Sequence, residues 1–479
     1  MASNVETLIR SAVTKGIGKV AGFNRKRLPR PVDAHPYLTG IHRPMEEEMT
    51  LEELRVEGEI PAALSGRYLR NGPNPALPPD PASYHWFTGA GMVHGIRIEG
   101  GAARWYRNRW VRGAEACAKL GEDIPPGPRT EGSDAPNTNV VGLAGRTFAI
   151  VEAGGKPVEL SETLDTIAHN PFDATLAGPY TAHPHHDPFT NETHAITYQG
   201  DQLNTVWHVV LDADAHVIRE EAIAVADGPS IHDCAITENH VLVFDLPVTF
   251  SMKSLLAGYR FPYAWNPAHP ARVGLLPRTG AGSEVIWVPV EPCYVFHPAN
   301  AFETGDGKVI VDVAAHETMF AESKRGPDSP RSRLERWTID PVQGVTTRTV
   351  IHDHNQEFPR YDERRTTRPY RYIYSVALPD GPGELEIADT RLFRHDLDRG
   401  VTDTRDFGPG RHPGEFVFVP RSAEGAEDDG WLIGLVVDMN DETTDLVILN
   451  ADEFTGPPQA IVHLPHRVPP GFHGNWVAD

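Results

Sequence analysis

From about residue 50 onward the chain is a long succession of short extended segments, and this pattern restricts it most. Leu54–Ile60 alternates apolar and polar residues until Pro61 breaks it. Further strands are predicted at Arg146–Glu152, Glu192–Gln199, Thr205–Leu211, Val217–Val225, Val241–Leu246, Glu284–Val290, Lys308–Val313, Leu334–Ile339, Tyr370–Val376, Trp431–Val437, Asp445–Asn450 and Ala460–Leu464. Turn or loop signals separate them. The cluster Leu69-Arg-Asn-Gly-Pro-Asn-Pro75 reads as a turn. Long helical repeats are scarce after residue 50, with one short helix expected within residues 251–259. Many short strands over so long a stretch predict an all-β protein, either a propeller or paired sandwiches. Gly and Pro, 43 of each, supply the turns. No internal repeat or WD or kelch signature counts the blades. No linker divides residues 31–479, which read as one domain.

Residues 1–30 are different. Val5, Leu8, Ile9, Ala12, Val13, Gly16, Ile17 and Val20 follow a helical apolar repeat. Ser3 and Glu6 have capping-box spacing. Arg10, Lys15 and Lys19 fall off the apolar stripe, and Arg25, Lys26, Arg27 and Arg30 follow. Such a basic amphipathic segment is expected to rest on an anionic membrane surface. The alternatives are a helix docked on its own domain or a loose tail.

The formal charge of −22 argues against nucleic acid as a partner. Three cysteines, Cys117, Cys234 and Cys293, make no disulfide framework and fit a reducing, cytoplasmic setting. They read as buried small side chains. No apolar run is long enough to span a bilayer.

Chemistry concentrates in four histidine phrases. His183 lies in Thr-Ala-His-Pro-His-His-Asp-Pro, and His232 in Ser-Ile-His-Asp-Cys-Ala-Ile-Thr. His297 lies in Tyr-Val-Phe-His-Pro-Ala-Asn-Ala-Phe-Glu, and His473 in Gly-Phe-His-Gly-Asn-Trp-Val. The chain has 23 histidines, so any one alone means little. By themselves, His185 and His186 compete with His183. Together with Gly-Arg-Tyr-Leu-Arg-Asn-Gly-Pro-Asn-Pro, His-Trp-Phe-x-Gly-x-Gly-Met-Val-His and Asn-Thr-Asn-Val, the phrases resemble the carotenoid cleavage oxygenase family from about residue 50 to 479.

That resemblance implies a seven-bladed β-propeller capped by a dome of loops and short helices, with an apolar tunnel to one iron(II). It implies His183, His232, His297 and His473 as the iron ligands, and Glu152, Glu357 and Glu415 as carboxylates behind them. By resemblance these glutamates serve His232, His297 and His473, leaving His183 without one. Thr138 matches a residue that crowds one open iron site. The ligands are separated by 49 residues (183 to 232), 65 (232 to 297) and 176 (297 to 473). Such wide spacing fits a ring of blades of ~40–50 residues, with a loop insertion in the second interval.

The implied reaction cleaves a conjugated C=C bond of a carotenoid or apocarotenoid with O₂ and no organic cofactor. Two departures bear on it. Thr88-Gly89-Ala90-Gly91-Met92 stands where the family usually has Asp-Gly-Asp-Gly-Met. Val151 stands where stilbene-cleaving members place a lysine before the first glutamate, so the chain leans to carotenoids. The alternatives are cleavage of a stilbene or phenylpropenoid side chain, an isomerase using the same iron, and a non-catalytic propeller that binds a partner through its loops.

Overall fold

The computed structural model describes residues 16–381 and 384–479. Seven antiparallel sheets of four or five strands follow one another along the chain and form a seven-bladed β-propeller. In chain order the innermost strands of blades 2 to 7 are Asn139–Leu143, His185–Asp187, Cys234–Ile236, Tyr294–Glu303, Gln356–Arg360 and Arg411–Pro420. Blade 1 contains Gly66–Pro73, Gly91–Glu99 and Ala102–Trp110, and its innermost strand, Gly474–Ala478, comes from the far end of the sequence. Gly474–Ala478 pairs antiparallel with the first part of Gly66–Pro73, from Arg70↔Gly474 to Gly66↔Ala478. Blade 7 is completed on its outer edge by Arg55–Gly58, which pairs with Ala460–Leu464. The two ends of the domain thus exchange strands across the seam, and the ring is closed by backbone hydrogen bonds rather than side-chain packing alone.

The outer strands match their sequence patterns closely. Thr205–Leu211 and Ala460–Leu464 have the predicted bounds, and most others differ by one to three residues. A helix at Met252–Ala257 lies inside the region expected for one, with the Ser251 hydroxyl capping the Ser254 amide. It belongs to an insertion between the second and third strands of blade 4, the loop expected between His232 and His297.

The cluster read as a turn is corrected. Residues 69–73 lie in Gly66–Pro73, a strand buried along its whole length. Its polar residues are satisfied across blade boundaries. The Asn71 amide donates to the carbonyls of Pro136 and Asn139, both at 3.0 Å. Gly72 is needed because the chain passes tightly here: a Cβ would fall 2.5 Å from the Gly471 Cα.

Half of the amphipathic N-terminal segment, residues 1–15 with the Ser3–Glu6 pair, lies outside the described residues. Residues 16–25 are helical. The end of this helix docks on the blade 4 insertion through Asn24 Nδ2 to Leu256 O (2.7 Å) and Arg25 Nε to Gly258 O (2.9 Å). Val20 and Phe23 stay exposed. No helix among the described residues is long and apolar enough to cross a membrane. Cys117, Cys234 and Cys293 are all buried free thiols.

Polar ties also join blades at their rims. Glu303, at the end of the inner strand of blade 5, accepts from Thr237 Oγ1 (2.5 Å), Asn239 Nδ2 (2.7 Å) and His240 Nδ1 (2.9 Å) in blade 4. Burial alone would push its pKa up, but these hydrogen bonds outweigh it and hold the carboxyl at about 2. A depressed carboxyl stabilises the fold above its usual value near 4.5 and loses that contribution as pH falls towards about 2. Glu303→Gln should therefore cost roughly 2 kcal/mol at neutral pH. Denaturant melts of the two proteins should converge below pH 3, and a gap that is independent of pH would refute the assignment.

Candidate metal centre

The inner strands all begin at the same end of the propeller, and that end carries the polar residues of the histidine and glutamate phrases. His473 immediately precedes its strand, His183 and His232 lie two residues before theirs, and His297 lies within its own. Glu357 and Glu415 are on the inner strands of blades 6 and 7, and Glu152 follows the second strand of blade 2. Each of the seven blades therefore contributes one of these seven residues. Several inner strands are irregular at this point. Register shifts fall between Val295 and Ala301, between Glu357 and Arg360, and between Pro413 and Phe416. Bulges of this kind re-aim side chains out of the alternating pattern.

One nitrogen each from His183, His232, His297 and His473 lies within 4.8 Å of the others, and all four rings are buried. His232 Nδ1 is 2.8 Å from Glu152 Oε1, His297 Nδ1 is 2.5 Å from Glu357 Oε2, and His473 Nδ1 is 3.1 Å from Glu415 Oε1. Each carboxylate accepts the Nδ1 proton and fixes that tautomer, so the Nε2 lone pairs face inward. His232 Nε2 and His297 Nε2 are only 3.2 Å apart. Two lone pairs at that distance repel unless a cation lies between them. His183 Nε2 is buried with no protein partner. Burial and the three neighbouring rings push the His183 pKa well down, so its imidazole is neutral and free to ligate. These observations fit a metal held by four neutral imidazoles, a donor set suited to borderline divalent transition metals.

The carboxylates are unequal. Glu357 also takes His316 Nε2 at 2.6 Å on its second oxygen, and despite burial these two imidazoles hold its pKa well below the carboxylate range. Glu415 is buried too; Arg360, 3.5 Å away, and His473 outweigh that burial and keep its pKa low. Glu152 Oε2 has no partner and is buried. His183 pairs with none of the three, but Asp233 Oδ2 is 3.7 Å from its Nδ1. Asp233 is itself held by His185 Nε2 at 2.7 Å and by the Cys234 amide at 2.6 Å. His316, Arg360 and Asp233 escaped sequence reasoning. Asp233 lies inside the His232 phrase and Arg360 three residues after Glu357, but nothing in the local pattern marks either as a partner of the centre.

A cavity of about 270 Å³ opens onto the centre, touching His232, His297 and His473. Its walls are largely aromatic, with Phe87, Phe250, Phe261, Phe296, Phe358 and Phe472 among them, and Thr138 and Val151 also line it. Phe87 meets Phe261, Phe296 and Phe472 edge to face, which packs the dome onto the propeller. Thr138 is buried, its hydroxyl donating to Asn137 Oδ1 (3.0 Å) and its carbonyl accepting from the His473 amide (3.2 Å). On the other side of the centre a polar cavity of about 200 Å³ touches His183, His185, His186 and Arg360. Of the histidines not assigned to the centre, His85 stacks on Phe261 and His94 bonds Tyr106.

The sequence profile of the retinal pigment epithelial membrane protein family matches residues 42–478. A carotenoid cleavage oxygenase of Mycobacterium tuberculosis is 42% identical over 92% of this chain and 97% of its own. The chain belongs to the carotenoid cleavage oxygenase family. As a member of that family it is an oxidoreductase that incorporates oxygen from O₂. Two solved structures share its fold. A cobalt-substituted Synechocystis apocarotenoid oxygenase is 29% identical, with a TM-score of 0.79 over 91% of this chain and 97% of that one. The lignostilbene dioxygenase of Pseudomonas brassicacearum is 26% identical, with a TM-score of 0.84 over 94% of this chain and all of the other.

Proposed function

We propose that residues 31–479 form one iron(II) dioxygenase unit that cleaves a conjugated C=C bond of a carotenoid or apocarotenoid to two carbonyl products. The observation that carries this reading is the four-imidazole centre with three paired glutamates, at the end of an aromatic-walled cavity. His183, His232, His297 and His473 would hold the iron, and a cobalt-substituted relative supports a divalent ion at such a centre. When bound, iron(II) would activate O₂ towards the closed-shell alkene without net consumption of electrons. The residues of this chain do the rest. Glu152, Glu357 and Glu415 keep Nδ1–H bonds fixed so that the imidazoles neither rotate nor exchange tautomers. Phe87, Phe296 and Phe472 exclude water and press a flat polyene into one plane, so that one double bond lies beside the centre. Thr138 would restrict the space left for O₂. The equation balances without a reductant, because each alkene carbon ends as a carbonyl carbon and O₂ supplies both oxygens.

A second reading, cleavage of a stilbene or phenylpropenoid side chain, is favoured by the close likeness to the lignostilbene dioxygenase. Val151 opposes it, because the cavity has no cation there to meet a phenolate. Anaerobically iron-loaded protein should be offered an apocarotenal, a hydroxystilbene and isoeugenol, with products separated by chromatography. The apocarotenal should be turned over at least tenfold faster than the other two. Preferred turnover of either aromatic alkene would transfer the assignment to the second reading.

A further inference from the structure

The cavity's outer end differs chemically from its walls. Arg260, exposed and adjacent to Phe261, lines the opening near Gly132 and Ser133. Arg25 approaches from the docked N-terminal helix, anchored to Gly258 O. Among the described residues, no carboxylate comes within 4 Å of either guanidinium, although the whole chain carries 66 acidic side chains against 44 basic ones. Burial lowers the Arg25 pKa, and the charge of Arg260 lowers it further. Two arginines close enough to disfavour each other, without an anion between them, are an unbalanced feature on an acidic protein. At the opposite end of the same cavity, Glu152 presents a buried, unpartnered oxygen. The charge of Glu152 there is offset by the ion that the four histidines would hold, so the unbalanced charge of the cavity is cationic and lies at its opening.

We propose that this opening is a binding subsite for an anionic end group, so that the tunnel selects polyenes carrying a terminal carboxylate and orients them with the apolar end towards the centre. The subsite rests on the reading of the cavity as a polyene tunnel and adds to it the chemistry of the substrate's outer end. Arg260 lines the rim and Arg25 is anchored two residues from it, so the pair attracts a carboxylate there and leaves the apolar end of the polyene to enter first. The reaction is unchanged in its balance: the acid-bearing half leaves as an oxo-acid and the other half as a neutral carbonyl compound. The cleaved bond is then set by its distance from the carboxylate. Solvent-exposed ion pairs are individually weak, so the expected preference is modest.

The test uses the full chain, loaded with iron(II) and kept anaerobic so that nothing is cleaved. A C20 polyene carboxylic acid and the matching C20 alcohol are titrated in, with quenching of tryptophan fluorescence as the readout; Trp86 lines the cavity. The acid should bind roughly fivefold tighter than the alcohol, and the advantage should shrink as salt is added. Arg260→Gln combined with Arg25→Gln should remove the advantage, and Arg260→Lys alone should retain part of it. Equal binding of acid and alcohol by the unaltered chain would overturn the proposal while leaving the tunnel reading intact. So would an acid preference that survives the double substitution. Failure of both probes to bind would sink the tunnel reading and the subsite together. Vesicles of phosphatidylglycerol and phosphatidylcholine form a second arm. Charge-dependent vesicle binding lost in the double variant, without any acid preference in solution, would assign the arginines to a lipid surface and overturn the proposal.

Discussion

His297→Ala should leave a folded protein with no bound metal and no double-bond cleavage. The substitution removes one of four nitrogen donors and leaves the buried Glu357 with His316 and the Phe358 amide but without its ligand imidazole. It also removes the close approach of two Nε2 atoms that makes a cation necessary. Metal content after anaerobic reconstitution should fall from about one ion per chain to background, and turnover should fall by at least a thousandfold. Glu357→Gln provides the graded comparison. It keeps the shape of the side chain but loses the charge-assisted bond, and loss of such an outer partner typically weakens metal affinity by about 10- to 100-fold. Circular dichroism should show both variants folded. Intact turnover in His297→Ala would refute the four-histidine assignment outright.

The second large effect concerns the seam. Deleting residues 474–479 leaves His473 in place but removes the innermost strand of blade 1. The loss includes the Gly474 amide bond to Glu415 (2.8 Å), the Asn475 bonds to Asn139 and Val140 (both 2.9 Å), and the pairing of Arg97 with Asp479. Gly66–Pro73 would then present an unpaired edge of buried backbone groups. The expected result is aggregated or metal-free protein, because several backbone hydrogen bonds and the orientation of Glu415 disappear together. Size-exclusion chromatography with metal analysis checks this. A monomeric, metal-loaded truncation would show that the rest of blade 1 closes the ring without that strand.

Legibility of this architecture in the sequence follows the chemistry of each layer. Outer and middle strands such as Thr205–Leu211 obey simple patterns, because one face packs on the neighbouring blade and the other meets solvent or a second blade. Inner strands do not. Tyr294–Glu303, Gln356–Arg360 and Arg411–Pro420 contain proline, bulges and polar residues that meet partners from other blades, so alternation fails where function is concentrated. Gly66–Pro73 misled for the same reason: Asn71 and Gly72 are turn residues by composition, but here they solve a crossing between blades. The histidine ligands were legible only through family phrases. Their convergence depends on pairings between residues far apart in sequence, which no local window contains.

The distribution of one polar residue per blade has a consequence for how the protein acquires its ion in the cell. His183, His232 and His297 leave the ribosome well before His473, and the strand anchoring His473 also needs Gly66–Pro73 to be waiting for it. Until that strand is made and paired, the chain offers three of the four nitrogens at most, so tight capture waits on closure of the ring. Metallation then reports that the two strands of the seam have found each other. A pulse of newly made protein should accordingly gain its ion late, after the seam has closed.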